Sequence, residues 1–75
     1  MALDTGVEMQ DVTSSNVLAI GYRSSDLTLF VSFKSGTKYA YFQVPEQVYQ
    51  DFLSAESKGK FLASQIKGNY NYQKL

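Results

Sequence analysis

Residues 27–44, LTLFVSFKSGTKYAYFQV, alternate between apolar and polar positions on either side of a Ser35-Gly36 pair. A period of two marks half-buried strands, and glycine in a tight turn accepts the positive φ that most residues avoid. The stretch therefore reads as a β-hairpin. A two-residue loop at Ser35-Gly36 sets Phe33 opposite Lys38, Ser32 opposite Tyr39, Val31 opposite Ala40, Phe30 opposite Tyr41, Leu29 opposite Phe42 and Leu27 opposite Val44. In that register one face carries Leu27, Leu29, Val31, Phe33, Ala40, Phe42 and Val44 as core, and the other carries the rings of Phe30, Tyr39 and Tyr41.

The remaining segments are expected to cover the first face. Residues 1–8 read as a mobile start, with Met9 and Val12 docking on the core. After the polar turn cluster 13–16, residues 17–22 alternate as a strand. Its Leu18, Ile20 and Tyr22 join the core face, while Ala19 and Gly21 leave a hollow beside Phe30. Pro45 suits the start of a helix that runs to about residue 55, with Val48, Tyr49, Phe52 and Leu53 forming its apolar stripe. Ser57 reads as the cap of a second helix over about 58–67, with Phe61, Leu62 and Ile66 inward; Gly68-Asn69 ends it. Gly59 in its first turn suggests a close backbone approach or a bent entry. Residues 70–75 read as an added strand or a wrapping arm. The predicted fold is thus α+β, a single domain over 1–75: a three-stranded antiparallel β-meander followed by two C-terminal helices packed on one sheet face.

Composition narrows the function. At 75 residues the chain is near the small end of what folds alone, and it has no cysteine to staple it. It also has no histidine, which removes zinc sites of the usual kind and histidine-based acid–base chemistry. Neither a metal nor a cofactor is expected. Formal charge is zero overall but unevenly placed: residues 1–56 hold seven acids against Arg23, Lys34 and Lys38, a net of −4, and residues 57–75 hold Lys58, Lys60, Lys67 and Lys74 with no acid. A neutral chain is poorly suited to wrapping duplex nucleic acid, whereas one basic edge suits a few phosphates. No apolar run approaches the roughly 20 residues of a membrane span, and the first residues lack the pattern of a signal peptide. A cytoplasmic location is expected, that of the host if the chain is phage-encoded, with no membrane partner.

Several short elements occur in a recognisable order: Ser14-Ser15-Asn16, Ile20-Gly21-Tyr22, Phe33-Lys34-Ser35-Gly36, Tyr39-Ala40-Tyr41, Val44-Pro45, Val48-Tyr49, Ser57-Lys58-Gly59, Ile66-Lys67 and Tyr70. Together, over about residues 9–72, they resemble the KTSC domain, a short module named for the C-terminus of some lysyl-tRNA synthetases and also found alone in small bacterial and phage proteins. The chain departs at Ala63, where that family often has asparagine, and at Lys67, where arginine is usual. The resemblance implies the fold; it brings no established activity and suggests RNA binding.

The candidate ligand-binding or interface residues are Phe30, Tyr39, Tyr41, Ser57, Lys58, Gly59, Lys67, Tyr70 and Tyr72. Phe30, Tyr39 and Tyr41 read either as a platform for stacked bases, worth roughly 1–3 kcal/mol per base, or as ordinary strand packing. Ser57-Lys58-Gly59 reads either as an anion site at a helix N-terminus or as a capping serine beside a solvated lysine. Tyr70 and Tyr72 alternate and face either the domain or a partner. The seven acids form no convincing helical pair, and serine without histidine has no fixed base, so no catalytic residue is assigned and an enzyme is not expected. The expected function is a non-catalytic module for a nucleotide-containing ligand, RNA or a small signalling nucleotide. The small nucleotide is sequestered between subunits of a homo-oligomer in one variant. The rival is a protein-interaction or inhibitor module that uses the same aromatic face.

Overall fold

The computed structural model describes residues 9–75, so the expectation of a mobile segment over 1–8 lies outside the described residues. The elements run β1 (Gln10–Asp11), β2 (Val17–Arg23), β3 (Thr28–Phe33), β4 (Lys38–Tyr41), α1 (Glu46–Ser54), α2 (Lys58–Phe61), a π-helical turn (Leu62–Ile66) and β5 (Tyr72–Lys74). The strands form one antiparallel sheet in the order β1-β2-β3-β4-β5. The expected three-strand meander is therefore its centre, extended by a short strand at each edge. Two short helices back it, and the fold is α+β. Among the described residues no helix is long and apolar enough to cross a membrane.

Three residues, not two, close the central hairpin. The Phe33 N–H donates to Thr37 O at 2.8 Å and the Gly36 N–H to Phe33 O at 2.9 Å, which leaves Lys34-Ser35-Gly36 as the loop. Gly36 sits at φ +96°, the left-handed position that completes a three-residue hairpin loop. Leu29 consequently pairs with Tyr41, Phe30 with Ala40, Val31 with Tyr39 and Ser32 with Lys38. This is one residue away from the register expected of a two-residue loop, and a slip of one turns every side chain of β4 to the other face.

The corrections follow directly. Tyr39 and Tyr41 lie on the helix-covered face with Leu29, Val31, Ile20 and Tyr22. Phe30 and Ala40 lie on the opposite face. Phe30, Tyr39 and Tyr41 therefore share no surface. Phe30 is only 5% exposed, beneath the Arg23 guanidinium 5.3 Å from its ring centre, and Ala19 and Gly21 are buried, so no open hollow lies there. Leu18, Leu27 and Phe42, all expected in the core, are exposed. A bulge between Val17 and Ala19 turns Leu18 outward and puts Val17 in the core. Leu27 and Gln43 both take φ +57°, which breaks the alternation at the start of β3 and after β4. Ile20, Tyr22, Leu29, Val31 and Val44 keep the expected inward side.

The helices begin and end where local chemistry places them. Pro45 stands just before α1, and its carbonyl accepts from Val48 at 3.0 Å. Tyr22 fixes this corner: its hydroxyl donates to Val44 O at 2.6 Å and its ring stacks on Tyr49 at 4.9 Å. Ser57 Oγ accepts from the Lys60 N–H at 3.3 Å, as a cap should. Ser64 Oγ donates back to Lys60 O at 2.9 Å, a bond that tends to bend helices. The following turn widens, with the Lys67 N–H reaching Leu62 O at 2.8 Å. Gly68 at φ +84° then ends the helical run. Phe52, Leu62 and Ile66 are the helical side chains buried in the core.

Candidate functional site

The returning tail brings four of the predicted residues together. β5 pairs with β4, Tyr41 opposite Tyr72 and Tyr39 opposite Lys74, so tail and strand present rings on one face. Tyr72 packs against Tyr39 and against Tyr41, each at 5.7 Å between ring centres; Tyr39 and Tyr41 are 6.3 Å apart, and Phe33 meets Tyr39 edge-on at 5.6 Å. The wide turn before Lys67 sets that lysine beside the rings. Tyr39, Tyr41, Lys67, Gly68 and Tyr72 line a cleft of about 310 Å³.

A second cleft of about 360 Å³ shares Tyr39 and Lys67 with the first and continues past Lys34, Ser35 and Thr37 to Ser15 and Asn16. No acidic side chain is among the described residues lining either cleft, and Lys34 and Lys67 are exposed with no ion pair among the described residues. The two clefts form one aromatic and basic groove.

The rings differ in what they offer. Tyr41 is 2% exposed and belongs to the core, Tyr39 is half-buried, and Tyr72 is 61% exposed. Burial first, then the neighbouring Tyr39 and Tyr72, push the Tyr41 hydroxyl above its ordinary pKa; burial first, then Glu46 and Asp26, do the same to Tyr22. Folded-state values above the unfolded ones mean that both phenols favour folding fully below about pH 10, and that this contribution is lost as pH rises through the folded values. Melting temperature is thus expected to fall above about pH 10 in step with tyrosinate absorbance, and Tyr41→Phe should weaken that fall. A Tyr41→Phe profile identical to the parent's would contradict the assignment.

The other predicted residues lie elsewhere or have structural partners. Lys58 Nζ donates to Ala55 O at 2.6 Å, at the C-terminal end of α1, where a cation complements the helix dipole. Ser57 is engaged as a cap. A Cβ built on Gly59 would meet only Asn16 Nδ2 at 3.9 Å, an ordinary contact, so no close approach requires glycine there. Tyr70 is half-buried against the core and lines a different cleft from Lys67. Sequence reasoning did not single out Lys34 as a site residue, although its neighbouring turn glycine marks where it projects.

A five-stranded antiparallel meander, a short helical pair on one face and a tyrosine-lysine groove beside the last strand define a small α+β domain of a particular kind. The chain belongs to the KTSC domain family, whose model matches residues 13–70. It is 39% identical over 62 residues to a protein of Tsukamurella paurometabola, covering 83% of this chain and 92% of that one. It is also 41% identical over 54 residues to a lysine–tRNA ligase of Trichormus variabilis, covering 72% of this chain but only 10% of the ligase. In structure it is similar to a KTSC domain protein from Yersinia pestis, with a TM-score of 0.90 and 38% identity, covering 93% of this chain and 99% of the other.

Proposed function

We propose that this domain is a non-catalytic binding module for a nucleotide-containing ligand, single-stranded RNA or a small signalling nucleotide. The observation that carries the reading is the groove: an exposed ring, Tyr72, and a half-buried one, Tyr39, beside Lys67 in a lining that holds no acid among the described residues. Aromatic faces accept bases of any sequence, and a lysine beside them neutralises phosphate. The match to a stretch of a lysine–tRNA ligase adds support for a nucleic-acid ligand.

The free edge of β5 favours a second reading. Phe42 N–H bonds Asn71 O and Leu75 N–H bonds Lys38 O, so the backbone groups of Tyr72 and Lys74 face away from β4, with Tyr72 and Leu75 exposed alongside. Such an edge suits strand addition by a protein partner or by a second copy, as a homo-oligomer would supply.

The two readings separate in salt and in one substitution. Binding of a labelled single-stranded oligoribonucleotide, followed by anisotropy, should weaken as salt rises, and Lys67→Ala should weaken it further while lowering the salt slope by about 1. Affinity unchanged by both salt and Lys67→Ala would remove the nucleotide reading. A native mass spectrum of protein purified from cells reports assembly and any retained ligand together.

A further inference from the structure

A third cleft, of about 800 Å³, adjoins the lysine groove and is lined by Phe42, Gln43, Gly68, Asn69, Tyr70, Asn71 and Tyr72. It shares Gly68 and Tyr72 with the groove, so the two clefts adjoin at these residues. Its size is that of small-molecule sites generally. Its chemistry is different from the groove's: the lining has three side-chain amides, exposed Phe42 and Tyr72 rings, and no charged residue. The Asn69 amide already donates to Gln65 O at 2.8 Å. Gln43 and Asn71 are exposed and have no side-chain hydrogen bond among the described residues. Gln43 is also held at φ +57°, a conformation that L side chains take at some cost.

We propose that this amide cleft is a nucleobase site, with adenine as its preferred base, joined through Tyr72 to the phosphate-binding lysine groove. The proposal rests on the nucleotide reading above and assigns the base to residues outside the groove. A carboxamide presents a donor and an acceptor side by side, which matches the adjacent N6–H and N7 of adenine. Guanine is matched by arginine or lysine and cytosine by a carboxylate, and this cleft offers neither. The exposed Phe42 supplies apolar surface for the flat ring. Lys67 lines the adjoining groove, which shares Gly68 and Tyr72 with this cleft, and is the cation nearest in the lining for the attached phosphate.

The test is a nitrogen-15 NMR titration of the whole chain with 5′-AMP, ribose 5-phosphate and inorganic phosphate, with CMP, GMP and UMP as comparators. AMP should bind about tenfold more tightly than ribose 5-phosphate, and should move the side-chain amide signals of Gln43 and Asn71, which inorganic phosphate leaves in place. Gln43→Gly should bring AMP down to the level of ribose 5-phosphate. The fold should survive, because glycine suits the left-handed backbone there, and an undiminished melting temperature checks this. Equal binding of AMP and ribose 5-phosphate, with Lys67→Ala weakening both, would overturn the base site and leave the phosphate reading intact. AMP selectivity that persists in Gln43→Gly would also overturn it. Selectivity lost in Gln43→Gly but indifferent to Lys67→Ala would keep the base site and remove the phosphate reading. No response to any of these compounds would overturn both.

Discussion

Replacing Phe52 by alanine is expected to cost about 3–5 kcal/mol of stability, the range for aromatic truncations in cores. Phe52 is the buried residue of α1 and is fully enclosed. Its ring stacks on Phe61 at 5.3 Å with 12° between planes, so one side chain ties the first helix to the second as well as to the sheet. A domain of 75 residues has about 4–11 kcal/mol in total, taking roughly 0.05–0.15 kcal/mol per residue. The loss is a large share of that, and urea denaturation followed by circular dichroism should find Phe52→Ala unfolding at far lower denaturant than the parent. Phe52→Leu keeps most of the volume and should fall between the two. A Phe52→Ala loss under about 1 kcal/mol would mean that α1 is not anchored as described.

The helices were legible because their signals are local. Pro45 before α1, Ser57 as the cap of α2 and Gly68-Asn69 after the π-helical turn each act within a few residues of where they stand. Strand pairing is not local in that sense. The faces of β4 depend on whether Gly36 is the second or the third residue of its loop, and alternation on both sides of the turn is equally satisfied by either. Hence alternation alone locates the strand of Tyr39 and Tyr41 but sends both rings to the wrong face. The bulge that turns Leu18 out has no marker in the sequence, since Val17 and Leu18 are equally apolar.

The site was legible in part, for a mixed reason. Tyr39, Tyr41, Lys67 and Tyr72 do meet, but through the return of β5 and the wide turn before Lys67, not through a platform shared with Phe30. An added strand is one of two readings of the tail, and no residue there marks its register. The amide cleft left still less trace. Its central feature is Gln43 at positive φ, and only a glycine or asparagine there would have suggested a left-handed residue in advance.

Leu29→Ala and Phe42→Ala together give the sharpest reading of the register. In a hairpin closed by two loop residues these side chains face each other across the strands, both point into the core, and both truncations cost about 2–5 kcal/mol. In the observed sheet Leu29 is fully buried opposite Tyr41, whereas Phe42 is 37% exposed beyond the end of β4 and its N–H bonds Asn71 O of the tail. Leu29→Ala should therefore lose about 2–5 kcal/mol, and Phe42→Ala about 1 kcal/mol or less, as for a partly exposed side chain. The contrast matters more than either value, because both substitutions remove apolar side chains from the same hairpin and share the same unfolded chain composition to within one residue. Melts of the two variants measured side by side supply it. Equal and large losses would restore the two-residue loop, return Tyr39 and Tyr41 to the face of Phe30, and take the tyrosine-lysine groove apart.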